Sequence, residues 1–201
     1  MRIGILGGGS AAAALAQGYD THGHDVRIGT TKHDIDGLPI GSPEEVADDA
    51  ELVVLAVGGR DAVELVTSLS DLLEDKILID TTNPLDFSAG LPRLFVGFDD
   101  SLGERVQRAV PRAKVVKAYN TVGDALLVDP HLPGGPPTMF IGGDDGGAKE
   151  VVSWLLQQTG WDVVDLGGID VSRYLEPMSV PWVLYGDQTG TWRHAFKLLR
   201  A

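Results

Sequence analysis

The sequence predicts an α/β fold, a doubly wound and mostly parallel sheet followed by a short C-terminal helical segment. Short β-branched runs alternate with longer helical stretches from the first residue onward, as expected for a parallel sheet with helices on both faces. Residues 51–57 (ELVVLAV) form a continuous apolar run, which suits a strand buried on both sides. Glycine is abundant, at 26 of 201 residues, and several glycines fall between a predicted strand and a helix.

The predicted elements follow one another through the first 167 residues. Strands are expected at residues 2–6, 26–30, 51–57, 76–80, 114–118, 138–141 and 161–165. Helices are expected at residues 10–19, 43–50, 61–73, 101–110 and 149–159. Ser42 is the expected N-cap of the second helix. Residues 84–100 contain prolines and glycines and are expected to form a loop.

We expect a dinucleotide-binding domain over residues 1–167 and a helical segment over residues 168–201. The segment is expected to complete the site or to form a dimer contact. Pro177, Pro181 and Gly190 are expected to interrupt its helices. Its aromatic residues favour packing or a dimer contact over stacking on a cofactor; they are Trp182, Tyr185 and Trp192.

Composition excludes several classes of function. The 16 basic and 29 acidic residues give a net charge of −13, which opposes binding to nucleic acid. The absence of cysteine excludes thiolate metal sites and cysteine nucleophiles, and no spacing of His, Asp and Glu predicts a metal site. No apolar run approaches the roughly 18 residues of a membrane span, so a cytoplasmic protein without a membrane partner is expected. The basic residues Arg105, Arg108, Arg112, Lys114 and Lys117 form one cluster, whose first three members are expected to lie on a solvated face or a partner surface.

The first turn fits the dinucleotide fingerprint G-x-G-x-x-A. It consists of Gly7, Gly8, Gly9, Ser10, Ala11 and Ala12. Gly7 permits a tight turn, Gly9 lets the backbone approach a pyrophosphate, and Ala12 lets the helix pack closely on the sheet. The helix N-terminus supplies amides and a partial positive charge. The alternative is an ordinary structural turn.

The residues after the second strand favour NADP over NAD. NAD-specific sites place a carboxylate here to hold the ribose 2′-hydroxyl, whereas this chain has Thr30, Thr31 and Lys32. Two hydroxyls and one ammonium suit a 2′-phosphate. The alternative is a polar, solvated loop.

The next residues add little to this assignment. Asp34 and Asp36 come too late in the chain for the ribose role, and His33 could assist the phosphate site when protonated.

Further candidate residues follow the strands whose carboxyl ends line the ligand crevice of this architecture. They are Val57, Gly58, Gly59, Asn83, Pro84, Ala118 and Asn120. Asn83 and Asn120 could hydrogen-bond the nicotinamide amide or its ribose. The alternative for Asn83 and Pro84 is a simple turn. Gly58 and Gly59 are expected to leave the nicotinamide side of the crevice open.

Eight stretches occur in the order found in one known family. They are residues 3–12, 23–25, 29–32, 79–84, 115–120, 141–144, 164–167 and 172–176. The sequence therefore resembles the F420-dependent NADP oxidoreductase family, which includes archaeal and actinobacterial F420-dependent NADP reductases and the reductase domains of the STEAP metalloreductases. The resemblance implies a homodimer.

In this family the fingerprint holds the pyrophosphate. The resemblance implies that Thr30 and Thr31 hold the 2′-phosphate and that Val57, Asn83 and Asn120 lie by the nicotinamide. The family often has Ser-Arg where this chain has Thr30 and Thr31, so Lys32 must supply the positive charge. Relatives carry bulky or basic residues at 58–61, where this chain has GGRD.

The expected function is hydride transfer between NADP(H) and a flavin-like acceptor, with the deazaflavin coenzyme F420 first and FMN or FAD next. No catalytic side chain is assigned, because the cofactors carry the redox chemistry and the protein positions them. The alternatives are a non-catalytic NADP-binding sensor and a reductase of a small imine or carbonyl. Residues 168–201 contain a single histidine, His194, and a single lysine, Lys197. Small-substrate reductases usually add a large helical domain that brings a catalytic Lys or His, and these 34 residues are too few for one, which disfavours the small-substrate reductase.

Overall fold

A computed structural model describes residues 1–32, 34–35 and 37–200 of the chain. The strands are β1 (Arg2–Leu6), β2 (Asp25–Gly29), β3 (Ile40–Gly41), β4 (Leu52–Leu55), β5 (Ile77–Asp80), β6 (Leu85–Asp86), β7 (Arg93–Leu94), β8 (Lys114–Lys117), β9 (Thr138–Gly143) and β10 (Asp162–Asp165). The α-helices are α1 (Ser10–Thr21), α2 (Pro43–Asp49), α3 (Gly59–Ser68), α4 (Leu102–Ala109), α5 (Gly146–Gln158) and α6 (Ser172–Thr189). Single 3₁₀ turns occur at Asp124–Leu126 and Ile169–Val171.

Eight strands form one sheet in the order β10-β9-β8-β5-β4-β1-β2-β3. Every neighbouring pair is parallel except β8 and β9. The strand order reverses direction around β1, as in a doubly wound sheet. The predicted fold class is confirmed.

The two faces of the sheet bury separate hydrophobic cores. Ile3 and Ile5 of β1 belong to the core that includes side chains of α1 and α5. Leu6 of β1 belongs to the core that includes side chains of α2, α3 and α4. Because successive side chains of a strand point to opposite faces, the apolar runs of the sequence supply both cores at once.

The strands end in one row across the sheet. The register pairs Leu6 with Gly29 on one side and with Leu55 on the other. Leu55 in turn pairs with Asp80, and Asp80 pairs with Lys117. The loops that follow β1, β2, β4, β5 and β8 therefore leave the sheet along the same edge.

Local signals placed α2 correctly. Ser42 is its N-cap, with the hydroxyl oxygen accepting the N–H of Glu45 at 3.2 Å. The Glu45 carboxylate accepts the N–H of Ser42 in return, which completes a capping box.

Two expectations about irregular segments are wrong. Residues 84–100 contain a small antiparallel ribbon, β6 with β7, in which Leu85 pairs with Leu94. Pro177 and Pro181 do not interrupt the C-terminal helix, since α6 runs through both and ends at Gly190. Buried side chains along α6 hold it to the sheet domain, and this packing outweighs the N–H groups that the prolines lack.

The last ten described residues are not helical. The Thr138 N–H donates to the Phe196 carbonyl at 2.9 Å, and the Leu198 N–H donates to the Thr138 hydroxyl at 3.0 Å. Trp182 packs with Trp192 and stacks on His194, with ring centroids 5.4 and 4.7 Å apart. Packing was the role predicted for these aromatic residues.

Within the described part of the chain, no helix combines the length and apolar character needed to cross a bilayer.

Candidate dinucleotide-binding site

The fingerprint loop joins β1 to α1 at the aligned edge of the sheet. The Gly7 N–H donates to the Gly29 carbonyl at 3.0 Å, so the loop is anchored to β2. Gly7 has φ of 145°, and a Cβ there would lie only 2.2 Å from the Ala56 carbonyl oxygen. The first glycine is therefore required by the turn itself and by the close approach of the chain after β4.

The end of the loop is open. A Cβ on Gly9 would meet no heavy atom of the described residues within 4 Å. Gly9 is the N-cap of α1, and no side chain among the described residues caps the helix. Ser10 and Ala11 lie in the first turn, where N–H groups have no partner inside the helix. Ala12 is fully buried against the sheet. An open cradle of N–H groups at a helix N-terminus fits the pyrophosphate of a dinucleotide.

A cavity of about 280 Å³ lies beside the loop. Its lining residues are Gly8, Gly9, Ser10, Ala13, Lys32, Asp34 and Ile35. Lys32 thus lies beside the fingerprint loop. Thr30 contacts Lys32 through its hydroxyl, which accepts the Lys32 N–H at 3.2 Å. Thr31 is exposed and does not line the cavity.

Asp34, for which no ribose role was expected, lies close to the fingerprint loop. Its side chain lines the same cavity as Lys32, although its sequence position follows the usual ribose-binding site. One carboxylate oxygen accepts the Gly37 N–H at 3.3 Å. The predictions that concern His33 and Asp36 lie outside the described residues.

Asn83 and Asn120 follow β5 and β8, which are neighbours in the sheet, and their side chains meet there. The Asn83 amide donates to the Asn120 backbone carbonyl at 2.7 Å, and the Asn120 amide donates to the Asn83 side-chain oxygen at 3.2 Å. The Asn120 amide also donates to the Leu175 carbonyl of α6 at 2.7 Å. The side-chain oxygen of Asn120 is buried and has no hydrogen-bond partner among the described residues. Pro84 directly follows Asn83 and is buried, and Ala118, two residues before Asn120, is buried as well.

Tyr119 sets the direction in which Asn120 leaves the sheet. It adopts the left-handed conformation with φ of 62°, which is uncommon for a residue other than glycine. Its hydroxyl accepts the Tyr19 hydroxyl at 2.9 Å in the core. Burial raises the pKa of Tyr119 to about 12 and raises that of Tyr19 well above its usual range. The hydrogen bond joins α1, which begins at the fingerprint, to the strand end that precedes Asn120.

Gly59 does not leave the crevice open, and this expectation is wrong. A Cβ on Gly59 would lie 2.1 Å from the Asn83 carbonyl oxygen and 3.1 Å from the Leu102 side chain. Gly59 has no room for a side chain, because the first turn of α3 contacts the backbone that follows β5. Gly58 has more room, since a Cβ there would contact only Asp61, at 3.3 Å, among the described residues. Val57 is half-buried before it.

The basic cluster also proves to be divided. Arg105 and Arg108 hold Asp100 through exposed ion pairs at 2.8 and 2.9 Å, and Arg112 pairs with Glu74. Lys117, by contrast, is fully buried.

The Lys117 ammonium lies between two buried carboxylates at the end of β8, three residues before Asn120. It is 3.0 Å from Asp80 and 2.8 Å from Glu176 of α6, and it donates to the Thr82 carbonyl at 2.6 Å. Burial by itself would lower the pKa of Lys117, but the attraction of the two carboxylates outweighs it and raises that pKa.

Glu176 also caps α4. Its carboxylate accepts the N–H groups of Leu102 and Gly103 at 2.9 and 2.8 Å. The negative charge lies at a helix N-terminus, where the helix dipole favours it. Glu176 therefore ties α6, α4 and β8 together beneath the edge that carries the candidate site.

Comparisons with known proteins bear directly on this arrangement. A family model described as "NADP oxidoreductase coenzyme F420-dependent" matches residues 2–84. A solved structure from Arthrobacter sp. FB24, provisionally named an F420-dependent NADP reductase, is 36% identical in sequence. The comparison covers 98% of this chain and 99% of that chain, with a TM-score of 0.92. The chain belongs to the F420-dependent NADP oxidoreductase family.

Two curated relatives are longer than this chain. The metalloreductase STEAP3 of Rattus norvegicus is 30% identical over 182 residues, which are 87% of this chain and 36% of that protein. The F420-dependent NADP reductase of Methanocaldococcus jannaschii is 28% identical over 138 residues, which are 68% of this chain and 62% of that protein. The matched part therefore spans about a third of the first relative and three fifths of the second.

Sequence reasoning missed the role of Lys117 in this family member. The available signal was a lysine at the end of a strand whose interior is Val115 and Val116, since a charge beside a fully buried run needs a partner. The partners lie 37 and 59 positions away, at Asp80 and Glu176. No local pattern reveals such a pairing.

Proposed function

We propose that this protein is an NADP(H)-dependent oxidoreductase that moves a hydride between the nicotinamide and a flavin-like ring, with the deazaflavin coenzyme F420 as the leading acceptor. The observation that carries the proposal is the open fingerprint loop at Gly9, with Lys32 beside it in one cavity. Membership of the family supports the use of both NADP and F420. FMN and FAD find no support in the comparisons.

In this proposal, different residues along the sheet edge that carries the candidate site bind different parts of NADP(H). The uncapped start of α1 after Gly9 holds the pyrophosphate. Lys32 holds the 2′-phosphate through a charge-assisted hydrogen bond, with Thr30 and Thr31 as further donors. Asn83 and Asn120 hold the nicotinamide end. The side-chain oxygen of Asn120, which has no partner among the described residues, can accept a hydrogen bond from an amide.

NADP(H) supplies the hydride chemistry when it is bound. The chain's own contribution is orientation. Tyr119 aims Asn120, and Asn120 is held in turn by Asn83 and by α6. Holding two flat rings with the reacting carbons about 3–3.5 Å apart accounts for much of the acceleration in such reactions. No side chain of this chain is assigned as an acid or base.

The test is anaerobic oxidation of NADPH by the purified protein against a panel of acceptors. The panel contains F420, FMN, FAD, a ferric chelate, a cyclic imine and a small ketone. We expect turnover with F420 and negligible turnover with the imine and the ketone.

Two results would contradict the proposal, and each would favour one of the alternative functions. Turnover of the imine or ketone without any flavin-like acceptor would make the protein a small-substrate reductase. Tight NADPH binding with no turnover of any acceptor would favour the NADP-binding sensor.

A further inference from the structure

Lys32 lies across the fingerprint loop. Its ammonium donates a hydrogen bond to the carbonyl oxygen of Gly8. Its Cδ and Cε lie 3.2 and 3.3 Å from the point that a Cβ on Gly8 would occupy. The Thr30 hydroxyl lies 2.7 Å from the same point and accepts the Lys32 N–H. The middle glycine of the loop is therefore covered by two of the residues assigned to the 2′-phosphate.

This contact lies in the wall of the candidate site. Lys32 lines the cavity together with Gly8, Gly9 and Ser10. The backbone of the loop is the surface that a pyrophosphate must approach. A dinucleotide whose pyrophosphate lies along the loop at Gly8 would therefore displace the lysine from the Gly8 carbonyl, whereas the start of α1 at Gly9 is open among the described residues.

We propose that Lys32 acts on cofactor binding in two ways. It binds the 2′-phosphate, and until it does so it acts as a latch on the fingerprint loop, whose opening weakens the binding of every dinucleotide and is offset only by one that carries this phosphate. The inference rests on the proposed NADP function and adds a penalty against NAD(H) that a simple phosphate-binding lysine would not impose.

The physical reason is that the two dinucleotides offer the Lys32 ammonium different partners in place of the Gly8 carbonyl. Opening the latch breaks the Lys32–Gly8 hydrogen bond, and this cost is the same for every dinucleotide. NADP(H) offers the ammonium a doubly charged oxygen cluster in exchange, whereas NAD(H) offers a neutral hydroxyl. A ligand shifts a conformational equilibrium only by its difference in affinity for the two states. The opening cost therefore lowers the absolute affinity for NAD(H), whereas the ratio of the two affinities is set by the contact of the ammonium with the phosphate.

Asp34 provides a second feature of the same cavity. Its carboxylate lines the wall that also carries Lys32, and a carboxylate is the group that accepts a hydrogen bond from a ribose 2′-hydroxyl. Without the latch, the cavity would offer NAD(H) an acceptor of this kind. The contribution of Asp34 therefore has to be separated from that of the latch.

The test measures dissociation constants of NADP⁺ and NAD⁺ by titration calorimetry for the whole chain. In Lys32→Met the flexible stem remains but the hydrogen bond and the charge are lost. We expect NADP⁺ to bind about tenfold to a hundredfold more weakly, because a charge-assisted contact is removed. We expect NAD⁺ to bind about threefold to tenfold more tightly, because an exposed hydrogen bond no longer has to be broken.

Two further variants isolate the latch. Lys197→Met removes the same charge from a lysine that holds the Pro136 carbonyl at 2.6 Å, so both affinities should stay at the wild-type values. The double variant Lys32→Met/Asp34→Asn should keep the gain in NAD⁺ affinity if the latch is its cause. Circular dichroism confirms that each variant is folded.

The outcomes separate the two proposals. If Lys32→Met weakens NADP⁺ binding and leaves NAD⁺ binding unchanged, the latch is wrong and Lys32 is only a phosphate ligand. A gain that disappears in the double variant would also overturn the latch, since Asp34 would then explain it. If the wild-type protein binds neither dinucleotide, the proposed function itself fails.

Discussion

Gly7 and Gly9 stand two positions apart, yet a side chain would meet opposite surroundings at the two sites. At Gly7 a Cβ would collide with the Ala56 carbonyl, and the backbone has φ of 145°. At Gly9 a Cβ would reach open space among the described residues. The first glycine serves the fold, and the second leaves room for a ligand.

This contrast predicts the effect of Gly9→Val. The variant should fold with an unchanged melting temperature, because the added side chain meets no described neighbour within 4 Å. It should lose NADP⁺ binding by more than about a hundredfold, because the β-branched side chain stands where a pyrophosphate would reach the helix amides. Calorimetric titration measures the loss.

A matched control is Gly146→Val at the start of α5, where a Cβ also meets no described atom within 4 Å. This variant should bind NADP⁺ as the wild type does. Undiminished binding by a folded Gly9→Val protein would remove the fingerprint loop from the proposed site.

At the scale of the elements, β8 ends in a buried cluster of charges. Lys117 at its end is fully buried between Asp80 and Glu176. Removing one partner of a buried ionic cluster leaves uncompensated charges in the core. Lys117→Met should therefore lower the free energy of unfolding by about 3–5 kcal/mol, as measured by urea denaturation.

Two comparisons support the interpretation of this prediction. Lys114→Met removes the same charge from the half-buried other end of β8 and should cost far less. Adding Asp80→Asn and Glu176→Gln to Lys117→Met should restore part of the lost stability, because the stranded carboxylates are then neutral. If Lys114→Met and Lys117→Met cost the same, burial of the cluster is not what stabilises β8.

The elements also show how far sequence alone can reach. The apolar run at residues 51–57 predicted a strand, and Ser42 predicted the start of α2, because both signals are local. The interruption of α6 predicted from Pro177 and Pro181 was wrong, since the residues that pack against α6 and keep it continuous lie far away in the chain.

The same limit applies at the candidate site. The positions of Asn83 and Asn120 at strand ends were predicted from local patterns, whereas their contact with each other was not, because the sequence does not show that β5 and β8 are neighbours. The tight contact of Gly59 was not predicted either, because nothing in the sequence shows where the Asn83 carbonyl points.

On the scale of the whole molecule, three buried groups make the fold sensitive to high pH. Burial raises the pKa of Tyr119 to about 12 and raises that of Tyr19. Asp80 and Glu176 raise the pKa of Lys117 despite its burial. Each group holds its proton more tightly in the folded protein than in the unfolded chain. The stability they give is therefore fully present below their unfolded pKa values and is lost as pH rises through the folded ones.

We expect the free energy of unfolding to be nearly flat around neutral pH and to fall steeply above about pH 10, where unfolded tyrosine and lysine begin to lose protons. Urea denaturation at a series of pH values measures this slope. The double variant Tyr19→Phe/Tyr119→Phe should show a shallower fall. A stability that is unchanged up to pH 12 would contradict the buried, protonated state of these groups.

Three expectations about the whole molecule stay predictions. They are the division of the chain at residue 167, the homodimer and the cytoplasmic location. Sedimentation equilibrium would decide the second of them.

The contact of Glu176 with Lys117 and α4 has a consequence for how relatives of this protein can exchange parts. A chimera that replaces residues 168–200 with the corresponding segment of a relative also replaces the carboxylate that caps α4 and balances a buried ammonium. Such a hybrid should assemble only when the donor brings a carboxylate at this position. The C-terminal segment and the sheet are therefore expected to diverge together in evolution, as one inherited unit, while the exposed tip of the ribbon at residues 87–91 remains free to change.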